Sequence, residues 1–79
     1  MTIPDRVDSR WVATLANTQL LRAEAQLRTA FRKLEAEEKR RAGSRYMLLQ
    51  GPPPLVAAWH RWTVVNNETK DRGLALPAK

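Results

Sequence analysis

The side chains able to do chemistry are few and scattered. His60 is the single histidine, and the chain has no cysteine. Its neighbours Trp59, Arg61 and Trp62 include no carboxylate to orient an imidazole, so the nucleophile, base and orienting group of a hydrolytic triad are not assembled. A zinc site draws about three or four ligands from His, Cys and carboxylate, which one histidine without cysteine does not supply. Ser9 and Ser44 stand in helix-cap contexts rather than beside a base. Glu35, Glu37 and Glu38 read as a solvated helix face, a poor place to raise a carboxyl pKa. The expectation is a non-enzymatic protein with no catalytic residue, metal, cofactor or small-molecule substrate.

Charge is the chemistry that remains. The net charge is +6, residues 1–38 are balanced, and Lys39, Arg40, Arg41 and Arg45 hold most of the excess. Such a cluster complements the negative end of a helix dipole and keeps a surface soluble. The same four cations are candidate contacts for phosphate or for an acidic partner, with Tyr46 beside them. No zinc-finger spacing, basic-zipper pattern or Gly-rich phosphate loop accompanies them. Nucleic-acid binding is therefore an alternative reading, of low sequence specificity.

These side chains sit on a short chain. Seventy-nine residues make one domain, whose core shields only about 60–65% of the unfolded surface. Without cysteine, the usual supplement to such a core is oligomerisation. Apolar residues at 43% against 28% charged place the chain among folded proteins rather than disordered ones. The start, Met1 to Arg10, carries Asp5, Arg6, Asp8 and Arg10, unlike a secretory signal. Apolar runs such as residues 55–59 fall far short of the roughly 20 residues of a membrane span. The expected location is the cytoplasm, with no membrane partner.

Glycine and proline divide the chain. None occurs between Asp5 and Ala42, and that interval is rich in Ala, Leu, Arg, Glu and Gln, the strongest helix formers. The pattern predicts one long helix over about residues 5–42, capped by Thr2 or Ile3, with Pro4 in its first turn and Gly43 closing it. Its length would be about 55 Å, and Thr14, Asn17 and Thr18 form its weakest stretch, where it could kink. Glu24–Arg28, Glu35–Lys39, Glu37–Arg41 and Glu68–Arg72 are spaced for i,i+4 pairs. Residues 43–53 read as a linker in which 44–50 are ambiguous. A second helix follows over about residues 54–72, with Leu55, Ala58, Trp59, Trp62 and Val65 on one face. The β-prone run from Trp62 to Val65 weakens that helix. Residues 73–79 read as a loose tail. The fold expected is all-α: a helical hairpin in one domain, packing into a dimeric or partner-completed bundle.

The long helix carries a seam. Ala16, Leu20, Ala23, Leu27, Ala30 and Leu34 follow one another in steps of four and three, a heptad pattern with alternating small and large residues. One reading is the core face against the chain's own second helix; the other is an interface for a partner or a second copy. Trp59 and Trp62 read as core anchors. Val7, Trp11, Thr18, Leu21 and Ala25 form another patch roughly opposite, which a single second helix would not cover. Trp11 is accordingly a candidate interface anchor, and a protein partner or homodimer is expected.

The segment Pro52-Pro53-Pro54-Leu55-Val56-Ala57-Ala58-Trp59 resembles the proline turn and second-helix start of type III secretion needle subunits, which are helical hairpins of similar length. The small hairpin co-chaperones of those systems are a comparable analogy. The likeness covers about a dozen residues and implies a hairpin component or co-chaperone of a secretion-type assembly as a further alternative. The leading expectation is a small adaptor, assembly factor or regulator that docks an apolar helix face.

Overall fold

A computed structural model describes residues 2–48 and 51–74. Three helices follow in order: α1 over Ser9–Ala13, α2 over Asn17–Ala42 and α3 over Pro53–Asp71. One 3-10 turn, Gly43–Arg45, follows α2. Helices α2 and α3 pack against each other as a hairpin, and α1 folds back onto α3. No strand occurs among the described residues.

The expected helix over residues 5–42 is divided. Its start moves to Ser9 because Asp8 is extended and its carboxylate accepts the Trp11 N–H at 2.9 Å. Asp8, not Thr2 or Ile3, is the cap, and Pro4 lies outside the helix. The helix then breaks at residues 14–16, within the stretch read as weakest. There the Thr14 hydroxyl donates to the Trp11 carbonyl at 2.6 Å, and Ala16 turns extended at φ −68°, ψ 159°. Gln19 reaches back to accept the Ala16 N–H at 2.9 Å, the reciprocal half of a capping box. The residues before and at the break thereby return to the bundle. Ile3, Val7, Trp11 and Leu15 pack on a core of Val12, Leu20, Ala23, Leu27 and Val65.

Helix α2 ends as its composition dictates. Lys39, Arg40 and Arg41 occupy its last turn. Gly43 closes it at φ 58°, ψ −128°, a combination reserved for glycine and distinct from the ordinary left-handed cap expected there. At the start of α3, Pro52 is the cap and Pro53 and Pro54 are the first two helical residues. Those positions have no acceptor for an N–H in any helix, so three successive prolines forfeit nothing. The first bonds of α3 run from Leu55 and Val56 to the Pro52 carbonyl, at 3.0 and 3.2 Å. Its C-terminus is a Schellman motif. Gly73, at φ 70°, donates to Lys70 and Leu74 donates to Thr69. Leu74 packs on the core, so it is not part of a loose tail. Residues 75–79 lie outside the described residues, as do 49 and 50 of the ambiguous segment. Ser44 and Arg45 of that segment lie in the 3-10 turn that Gly43 begins, after which Tyr46 is extended.

A second core cluster lies toward the turn. Phe31, Leu55 and Ala58 are buried there, with Leu34, Tyr46, Leu48, Trp59 and Trp62 against them. Phe31 and Trp62 stack, with centroids 5.4 Å apart. The tryptophans of α3 are therefore core anchors, and the β-prone run from Trp62 to Val65 is helical, because α2 offers it an apolar face.

Candidate functional site

The face of α2 that meets α3 runs Leu20, Glu24, Leu27, Phe31, Leu34, Glu38, with Ala23 beside it. All are buried except Leu34, which is half-buried. The buried stripe therefore includes Leu20, Ala23 and Leu27 of the expected seam and takes Phe31 in place of Ala30. Leu20, Ala23 and Leu27 are 0, 0 and 7% exposed, so in the folded chain they are core. Ala16 and Ala30 are exposed. Phe31 fills the place expected for Ala30 because its ring reaches Trp62, which an alanine cannot do. Trp11 is half-buried on the same core rather than projecting from it.

Two carboxylates lie on this inner face, and each has a partner. Glu24 accepts from Trp62 Nε1 at 2.9 Å and pairs with Arg28 at 3.2 Å. A carboxylate is tolerated in such a buried position when it is paired and hydrogen-bonded in this way. Glu38 pairs with Arg41, which displaces the expected Glu37–Arg41 pair. The expected Glu35–Lys39 and Glu68–Arg72 pairs form, at 3.8 and 2.8 Å.

Arg72 does far more than that pairing suggests. Its guanidinium also donates to the carbonyls of Leu15 at 2.8 Å and Val12 at 3.0 Å, and to Asn17 Oδ1 at 3.1 Å. One side chain from the end of α3 thus supplies a donor to the Leu15 carbonyl at the break between α1 and α2, and a second one to the Val12 carbonyl, which also accepts the Leu15 N–H at 3.1 Å. No local pattern announces a contact between residues 57 and 60 positions apart.

The cationic cluster at the turn is partly committed. Lys39 pairs with Glu35 and lies over the Tyr46 ring, 5.2 Å from its centroid. The Tyr46 hydroxyl donates to Glu35 Oε2 at 2.9 Å. Burial, then this hydrogen bond and the charges of Glu35 and Glu38, push the phenol up to about 12. Arg41 is held by Glu38. Arg40 and Arg45 are exposed and form no ion pair with a described residue.

The opposite face of α2 continues that free charge. Arg22, Gln26, Thr29, Lys33, Ala36 and Arg40 lie two positions on from the inner stripe, about 200° around the helix, and all six are exposed. Arg22, Arg32 and Lys33 form no ion pair with a described residue. Glu37 is the one carboxylate flanking this stripe. Between the cations lies a flat patch of Ala25, Thr29 and Ala30 with Gln26 and Lys33. Met47, 56% exposed, is the large hydrophobic side chain left open among the described residues. Counting two positions on from the leucine seam would have found this stripe.

No family model, curated protein or solved structure matches this chain.

No group of His, Cys, Asp and Glu able to hold a metal occurs among the described residues. No described helix is long and apolar enough to cross a membrane.

Proposed function

We propose that this chain works by binding rather than catalysis, as a small cytoplasmic module that grips nucleic acid with the outer face of α2 and the turn after it. The observation that carries this reading is the unequal use of charge. Asp8, Glu24, Glu35, Glu38 and Glu68 are engaged in local or buried contacts, while Arg22, Arg32, Lys33, Arg40 and Arg45 form no ion pair with a described residue. From Arg22 to Arg40 the free cations span about 27 Å of one straight face. Nucleic-acid interfaces are polar and strongly cationic, whereas the centre of a protein–protein interface is depleted in charge. Small side chains between the cations let the helix approach a phosphate backbone closely.

The test is binding of a labelled duplex, followed by fluorescence anisotropy at increasing salt. Wild type should lose affinity steeply, and Arg22→Gln, Lys33→Gln and Arg40→Gln together should flatten the logarithmic salt slope by about three. A triple variant that binds like wild type would end the proposal.

A second reading keeps the adaptor expected from the sequence but moves its contact surface. The patch of Ala25, Thr29 and Ala30 suits an approaching helix of a protein partner. Such binding would respond little to salt and would fail on Ala30→Asp. A hairpin role in a secretion-type assembly has no support beyond the proline turn.

A further inference from the structure

We propose that the N-terminal arm, residues 2–13, is exchanged between two copies of the chain, when residues 14–16 straighten and α1 and α2 merge into one helix. The partner is a second copy, and the docking surface is the one that the arm already covers. This inference stands apart from nucleic-acid binding.

The break is not dictated by the residues that form it. Residues 14–16 are Thr, Leu and Ala, and no described residue other than glycine has a positive φ. Thr14 is already helical at φ −80°, ψ −11°, and the φ of Ala16 is helical too; its ψ of 159° is what departs. Exchange of an identical element between copies is a low-cost route to a dimer.

What holds the break is a set of substitutes for helical hydrogen bonds. In a continuous helix the Val12 carbonyl would accept from Ala16 N–H, and the Leu15 carbonyl from Gln19 N–H. In the folded chain the Leu15 carbonyl accepts from Arg72, and the Val12 carbonyl accepts from the Leu15 N–H at 3.1 Å and from Arg72. Gln19 takes the Ala16 N–H with its side chain. The bent form thus draws part of its hydrogen bonding from one arginine at the far end of the chain, while the straight form needs only the backbone.

The arm itself has little independent structure. Helix α1 has five residues, too few to persist alone. It is held by Val12, 1% exposed, and by Val7, Trp11 and Leu15 on the core around Val65. A merged helix over residues 9–42 would be about 50 Å long, more than the 39 Å longest extent of the molecule. The arm would then project past its own bundle, and the vacated groove of a second copy offers it the same contacts.

Two variants test this by light scattering over a range of concentrations, with circular dichroism to follow helix content. Arg72→Gln should raise the dimer fraction several-fold over wild type. Asn17→Pro should abolish the dimer while remaining folded. Proline suits the first position of α2 after an extended Ala16, but it blocks a helix running through that point. The double variant should be monomeric. A folded Arg72→Gln chain that stays monomeric throughout would overturn the proposal, as would a dimer that Asn17→Pro leaves unchanged. A second arm needs no change at Arg72. Refolded at high concentration, wild type should yield dimer and Asn17→Pro monomer. Monomer alone from wild type, or equal dimer from both, would also overturn it.

Discussion

The two ends of the hairpin are held by different kinds of contact. Near the turn, the chain is shaped by neighbours in sequence: Gly43 ends α2, Pro52 to Pro54 start α3, and Tyr46 bonds to Glu35 on the helix just before it. At the other end, the arm and α3 are joined by residues 57 and 60 positions apart, through Arg72 and the Val12–Leu20–Val65 core. Local signals act on the unfolded chain and the folded one alike. The distant latch exists only once the bundle has closed. The turn end is therefore specified before folding, and the open end is chosen by it.

Substitutions sharpen that contrast. The largest effect is expected from Leu20→Ala, which empties a fully buried site at the open end and should cost about 3–5 kcal/mol. Leu34→Ala at the turn end, where the side chain is half-buried, should cost well under half as much. Urea unfolding of both variants measures the difference, and equal losses would erase the distinction. Next comes Arg72→Ala. It strips two backbone carbonyls of a charged donor and should destabilise the monomer by about 2–3 kcal/mol. Arg72→Lys should recover little, because one ammonium cannot reproduce the forked contact. Trp62→Phe keeps the stack on Phe31 but removes the N–H that Glu24 accepts. Its cost should be about 1–2 kcal/mol, and Glu24→Gln in the Trp62→Phe background should return part of it.

The smallest effect lies at the turn and depends on pH. The Tyr46 phenol titrates at about 12 in the folded chain against 10.0 when unperturbed. Below pH 10 it is protonated in both states, and its contribution to stability is fully present. Between 10 and 12 the unfolded chain loses the proton first, so that contribution falls as pH rises. Urea midpoints of wild type and Tyr46→Phe should converge across this window. Two curves that stay parallel would contradict the raised value.

Much of this was legible in the residues. Glycine and proline place the helix ends, because their backbone constraints act locally. The apolar spacing of α3 names its buried face, and Leu20, Ala23 and Leu27 were named on α2. Less was legible where a choice depends on tertiary fit. Heptad spacing admits either Ala30 or Phe31 at the inner face, and only the Trp62 ring decides. Glu24 reads as a surface ion pair until Trp62 Nε1 is brought to it. The division of the long helix was visible only as a weak stretch, since the residue that stabilises it lies at the other end of the chain. The cationic stripe is hidden in the sequence because only Lys39–Arg45 forms a contiguous run, while Arg22 and Lys33 join Arg40 only through helical periodicity.

Helices α1 and α2 are separate and are closed by a distant latch. Amide hydrogen exchange on the dilute monomer tests this directly. Asn17 and Thr18 are the first residues of α2, so their N–H groups have no helical acceptor. They should exchange fast, while the amides from Leu20 to Leu27 exchange slowly. Unbroken protection from Val12 through Leu27, with Asn17 and Thr18 as slow as Leu20, would mean one continuous helix and would contradict the account.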